Sequence, residues 1–389
     1  MDWLPSEIIT QILSRLPVRS VYVCRSVCKT WLNIIDDRRR FVPLHFSRSL
    51  EEKEATTFIF VPSGNRRPIY MVEVKKEQHN YKATQIDFCG PHYNTKYANS
   101  CNGLFCFSAT PSYSDNDYHT YIHNPATREC VKLPSSFSCL ESMDINLPHG
   151  DLFVNNLGIG YDFSSNAFKV LQILGVSYGF GHPTSVKAQV YTLGTNSWRQ
   201  LENFPHVSCF QSIPALINGS LHWPSYENIL AFDLASENFG FVEYPQINLV
   251  PNAPSVFPEI NPRLVVLDGC LSIAVSSSGE DVGLWIMKDY NVKESWIKLV
   301  IKRNYLHDRV KFHSVLPITF WKNGELLLLY GSKILVSYDT SGRYTLFEYE
   351  SFPACKYDFF FKSYSWSEVY PYVGNLMSID ITCRTEAQP

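Results

Sequence analysis

Leu4–Ile35 reads L-P-S-E-I-I-T-Q-I-L-S-R-L-P-V-R-S-V-Y-V-C-R-S-V-C-K-T-W-L-N-I-I, the only helical pattern in a chain that otherwise reads as short strands and turns. Pro5 suits an opening helical turn, and Glu7 places a carboxylate at the positive end of the helix dipole. Ile8, Ile9, Ile12, Leu13 and Leu16 then recur at the helical period until Pro17 interrupts. Val18, Val21, Tyr22 and Val23 make a second pattern, and Val27, Cys28, Trp31, Leu32 and Ile35 a third. Three helices in about 30 residues keep most of their chain exposed, so this unit needs a partner for its surplus apolar face.

Outside it, turns rather than identities repeat. Asn102-Gly103, Asn218-Gly219, Asp268-Gly269 and Asn323-Gly324 are each flanked by apolar runs, a strong signal for a tight hairpin because such turns need positive φ. Ser63-Gly64-Asn65 and Ser164-Ser165-Asn166 fill the gaps in the series, giving six turns at the interval of a propeller blade. A second turn follows each of the last five. Beyond it come the pairs Cys130/Leu133, Trp198/Leu201, Phe239/Val242, Trp296/Leu299 and Tyr344/Phe347, three residues apart and so on opposite strand faces. That suits strands covered on both sides by neighbouring blades.

Two resemblances join these readings. L-P-x-E-I-I-x-x-I-L-S-R-L-P-V-R-S followed by C-R-S-V-C-K-T-W resembles the F-box, in wording closest to plant F-box proteins. S-C-N-G-L-F-C-F at Ser100–Phe107, H-N-P-A-T-R-E-C-V-K-L-P at His123–Pro134, and G-I-G-Y-D with F-K-V-L within Gly158–Leu171 resemble the kelch-like F-box-associated domain of plants. The expected architecture is a small N-terminal α-helical F-box, residues 1–45, followed by an all-β propeller, residues 46–389, with six blades favoured and seven as the alternative. The first repeat lacks a clear second turn, so the run Leu376–Ile381 is expected to supply its fourth strand and close the ring.

The resemblance implies that the helices dock on a Skp-type adaptor, and through it a cullin, using Leu4, Pro5, Ile8, Ile12, Leu16, Val27 and Trp31. The chain would then be the substrate-recognition subunit of a ubiquitin ligase. An S-locus-type pollen self-incompatibility receptor of ribonucleases, or a kelch-like scaffold that does not promote degradation, are the alternatives. In an up-and-down blade the tight first and third connections share one end, so the long ones gather at the other. A protein target is therefore expected on loops holding Tyr113, Asp115, Asp117, Tyr118, Tyr178, Phe180 and His182, with Phe137, Met143 and Phe257 on other long connections.

Composition narrows the remaining classes. The net charge of −3 opposes a binder that lives on nucleic-acid phosphates. Residues 1–40 hold four acids and seven bases, so the handle carries +3 and the body −6. A basic handle suits an acidic adaptor surface. No basic n-region, apolar leader or membrane span is evident, which predicts a soluble cytoplasmic or nuclear protein. Eleven cysteines without a leader read as reduced thiols. No metal-ligand set, no P-loop, no G-x-S-x-G and no H-E-x-x-H occurs, so neither a cofactor nor a catalytic role is expected.

Overall fold

The computed structural model describes residues 4–37, 40–51, 57–62, 69–75, 77, 80–86, 93–110, 119–135, 151–177, 185–205, 212–246, 262–275, 281–302, 315–321, 323–330, 334–339, 341–349 and 366–379. Helices α1 (Ser6–Leu13), α2 (Val18–Cys24), α3 (Lys29–Ile35) and α4 (Phe41–Glu51) form the N-terminal unit. Pro5 and Pro17 sit at the N-caps of α1 and α2 in extended backbone (ψ 146° and 145°), where a missing N–H costs no helical bond. Ile9, Leu13, Val21, Ile35 and Phe41 are the buried core of this unit. Helix α4, which the sequence reading did not anticipate, runs across the expected division at residue 45. His45 Nε2 donates to the Leu16 carbonyl at 2.9 Å, and Arg48 donates to the Gln11 carbonyl at 3.1 Å, so α4 clamps the end of α1.

The rest is a ring of six sheets, antiparallel apart from one short parallel pairing in the first. The chain enters it through β1 (Thr57–Pro62), β2 (Tyr70–Lys75) and β3 (Asn80–Gln85). The next blade holds β4 (Tyr93–Cys101), β5 (Leu104–Thr110), β6 (His119–Asn124) and β7 (Glu129–Lys132). It is followed by β8 (Asp151–Asp162), β9 (Ala167–Ser177), β10 (Ser185–Thr192) and β11 (Trp198–Leu201), then β12 (Ala215–Ile217), β13 (Ser220–Pro224), β14 (Ile229–Asp233) and β15 (Phe239–Val242). Two more blades comprise β16 (Arg263–Leu267), β17 (Cys270–Val275), β18 (Val282–Met287) and β19 (Trp296–Ile301), and β20 (Val315–Phe320), β21 (Leu326–Tyr330), β22 (Ile334–Tyr338) and β23 (Tyr344–Leu346). β24 (Glu348–Tyr349) adds in parallel to the outer edge of β3, and β25 (Trp366–Pro371) pairs antiparallel with β1.

Closure differs from the expectation. The C-terminal strand is β25, not Leu376–Ile381, and it is the innermost strand of the first blade rather than its fourth, in register Ile59↔Tyr370 and Phe60↔Val369. Consequently β1 is a second strand, and Ser63-Gly64-Asn65, which lies outside the described residues, falls in a second connection rather than a first. The apolar run beyond β25 is used instead as a strap.

Asn102-Gly103, Asn218-Gly219 and Asp268-Gly269 all have positive φ at both positions, as the two-residue hairpin requires. Asn323-Gly324 does not follow them. Only Gly324 (φ 79°) is left-handed there, in a longer turn closed by Trp321 N to Glu325 O at 2.9 Å. In the fourth strands Leu133, Leu201, Val242 and Phe347 are buried as the pairing predicts, but Leu299 is exposed. A short 3-10 turn, Lys293–Ser295, precedes β19, and Ile301 takes the buried position instead.

Each of the six gaps between neighbouring blades holds its own apolar cluster. This is why inner strands carry apolar residues on both faces, as in β21, where all five residues are buried. Cys24, Cys28, Cys101, Cys106 and Cys270 are free thiols, whereas Cys130 is disulfide-bonded, against the expectation of reduced cysteines.

After β25 the chain crosses the tight-turn end of the β4–β7 blade as an extended strap. Asn124, fully buried, donates from Nδ2 to the carbonyls of Asn375 (3.0 Å) and Met377 (2.7 Å). Asn375 in turn donates to the Asn102 carbonyl at 2.9 Å, and the Ile379 amide donates to Glu129 at 2.8 Å. Leu376 packs on the helical core, so the strap joins the helical unit to the tight-turn end of the ring.

Candidate functional site

Two surfaces carry the candidate residues. On the helical unit, successive helix positions are about 100° apart, so Ile8 and Ile12 share one line while Ile9 and Leu13 share the next. The inner line is buried. Leu4, Ile8, Ile12 and Val27 are 55%, 46%, 50% and 48% exposed and lie outside the core. Pro5 is exposed beside them, whereas Leu16 and Trp31 are only partly exposed and pack on the unit's own core. Sequence spacing had merged the two lines into one face; only the packing partners separate them. Tyr22 and Val23, also exposed on α2, were not among the expected contacts, although they continue the apolar pattern.

On the ring, the antiparallel order places the tight first and third connections at the end that carries the strap and helices. Second connections and blade crossings open at the other end. Tyr113, Asp115, Asp117, Tyr118, Tyr178, Phe180 and His182 lie outside the described residues, as do Phe137, Met143 and Phe257.

The central channel is a cavity of about 300 Å³ bordered by the inner strands β4, β12, β16, β20 and β25. Two of its polar side chains serve the ring: Asn99 Nδ2 donates to the Ile159 carbonyl and its Oδ1 accepts from the Ile159 amide, both at 2.8 Å. Ser100 donates to the Pro371 carbonyl at 3.3 Å, tying β4 to the closing strand. Among the described residues no group of three or more His, Cys, Asp or Glu side chains could hold a metal. No helix among them is long and apolar enough to cross a membrane.

Two buried polar clusters were not expected from the sequence. Lys169 Nζ meets Asp162 and Glu237 at 2.9 Å each and the Leu234 carbonyl at 2.6 Å, stapling the β8–β11 blade to the β12–β15 blade. Burial alone would raise the Asp162 carboxyl, but hydrogen bonds from Ser165, Ser164 and Lys169 outweigh it and hold it well below the usual carboxylate range. His222 donates from Nδ1 to the Ala215 carbonyl (3.2 Å) and accepts at Nε2 from the Tyr290 hydroxyl (2.7 Å). Burial lowers its pKa to about 4, so the imidazole is neutral.

A family model described as the F-box associated beta propeller domain matches residues 50–345, and an F-box domain model matches residues 1–43. The chain belongs to the F-box-associated beta-propeller family. F-box protein At3g07870 of Arabidopsis thaliana is 27% identical over 381 residues, covering 87% of this chain and 85% of that protein. F-box protein CPR1 of the same plant is 27% identical over 362 residues, covering 85% and 80%. An F-box implies binding to a Skp-type adaptor, and an F-box with a propeller implies a substrate-receptor role in Skp–cullin–F-box ubiquitin ligases. F-box proteins are generally receptors whose chemistry resides in other subunits.

Proposed function

We propose that this F-box protein is the substrate-recognition subunit of a Skp–cullin–F-box ubiquitin ligase. It holds the adaptor with Leu4, Pro5, Ile8, Ile12 and Val27 at the surface, supported from within by Leu16 and Trp31. It holds a target protein with the long connections at the far end of the propeller. Its contribution is proximity: a tethered target meets the transferring enzyme at an effective concentration set by geometry.

The observation that carries this reading is the apolar line Leu4, Ile8, Ile12, exposed on a unit whose inner line already has its core and whose base is already joined to the ring. Covering a half-exposed Leu or Ile contributes about 1 kcal/mol. The test is Ile8→Asp with Ile12→Asp in the full chain. Because both side chains point away from the core, the urea midpoint should hold while adaptor affinity falls roughly a hundredfold, each residue losing its burial and adding a carboxylate to desolvate. Unchanged affinity would remove these contacts from the interface. Affinity purification of the intact chain and of one lacking residues 1–40 should recover adaptor and cullin with the first alone. Proteins recovered with both are candidate targets, and an intact chain that recovers no adaptor returns the scaffold reading.

A further inference from the structure

A cavity of about 340 Å³ lies where the F-box meets the propeller, away from both the outward apolar line and the long connections. Val18 and Tyr22 of α2 form one wall, Ile86 the floor, and the turn between β6 and β7 the other wall through Pro125 and Ala126. Val18, Ile86, Pro125 and Ala126 are apolar and Tyr22 adds an aromatic ring, while Thr84 and Gln85 contribute polar lining. Arg128 stands at the rim. His123 sits deeper, and burial lowers its pKa, so Arg128 carries the only charge among the described lining residues at neutral pH.

Three features set Arg128 apart. Its φ is 61°, the left-handed region that a branched or bulky side chain enters only at a cost. The turn holds it there, its amide donating to the Asn124 carbonyl at 2.8 Å. The comparable residue Glu237 (φ 56°) uses the same backbone state to present its carboxylate to Lys169, but the Arg128 guanidinium makes no ion pair among the described residues. Among the described residues, no carboxylate lines the cavity to neutralise it.

We propose that this cavity binds a small organic anion with a flat apolar body, a compact aromatic carboxylate whose ring lies between Tyr22 and Pro125 and whose carboxylate meets Arg128. The volume is at the lower end for small-molecule sites, about 300–1,000 Å³, which restricts the ligand to one or two rings. A planar guanidinium matches a carboxylate in paired hydrogen bonds. Because the walls come from α2 and from the propeller, the bound anion bridges the two units and stiffens their joint. This goes beyond the receptor reading and does not depend on it.

The test uses the purified full chain and naphthoate, a fused-ring carboxylate, with naphthamide as its neutral counterpart, by equilibrium dialysis. Expected are saturable one-site naphthoate binding, naphthamide binding at least about tenfold weaker, and slower hydrogen exchange in α2 when naphthoate is bound. Arg128→Gln should reduce naphthoate to the naphthamide level, and Ala126→Trp, which fills the cavity, should abolish both. Arg128 is exposed, so its variant reports on binding even where the tryptophan variant folds poorly. No saturable naphthoate binding to the wild-type chain, or binding that survives Arg128→Gln unchanged, overturns the proposal.

Discussion

Asn124→Ala tests whether the strap after the closing strand is held mainly by one side chain. Asn124 makes three bonds, donating to the carbonyls of Asn375 and Met377 and accepting from the Ala126 amide at 3.0 Å. Each such bond contributes about 1 kcal/mol net, and a buried carbonyl left without its donor costs about 1–3 kcal/mol. The strap can loosen and let water reach the two carbonyls, so the loss is bounded by its local opening, about 2 kcal/mol. That is roughly a thirtyfold rise in the open fraction. Hydrogen exchange on the full chain should show the amides of Met377 and Ile379 exchanging about thirtyfold faster, with α1 and α4 following because Leu376 leaves their core. The β8–β11 blade should be unchanged. Strap amides as protected in Asn124→Ala as in the wild type would refute the reasoning, placing the anchoring in Asn375 and Glu129 instead.

His222 is neutral in the fold with a pKa of about 4 against 6.5 when unfolded, so its stabilisation is complete above pH 6.5 and is lost as pH falls toward 4. The loss totals about 3 kcal/mol, and His222→Gln should remove that share of the slope in urea midpoints between pH 7 and pH 4. Lys169→Met leaves the buried Asp162 carboxylate without its ammonium partner and Glu237 with Arg199 alone. It should cost about 3 kcal/mol by urea unfolding, and adding Asp162→Asn with Glu237→Gln should restore part of that.

Much of the ring was legible because its signals are local. A two-residue turn demands positive φ, and Asn102-Gly103, Asn218-Gly219 and Asp268-Gly269 announce it in two letters. Strands sandwiched between blades need apolar residues on both faces, and Leu133, Leu201, Val242 and Phe347 met that need. Leu299 did not; behind the 3-10 turn Lys293–Ser295 it is Ile301 that is buried, which no spacing rule foresees. Closure was illegible for a different reason. Pairing of Thr57–Pro62 with Trp366–Pro371 joins ends of the ring far apart in sequence, and the more apolar Leu376–Ile381 competes for the same role on hydrophobicity alone. In the handle, the sequence located α1 but could not say which of its two apolar lines faced inward. That was decided by α3, α4 and Leu376, and α4 itself was obscured by Pro43 in its first turn.

One C-terminal stretch completes two structures at once. β25 supplies the inner strand that closes the ring, and a few residues later Leu376 completes the F-box core. During synthesis the helices and five blades emerge from the ribosome before either event can occur, leaving the edge of β1 open until Pro371 follows. A product stopped short of that point lacks both the closing strand and the Leu376 contact, so the ring and the helical unit are completed in the same step of synthesis.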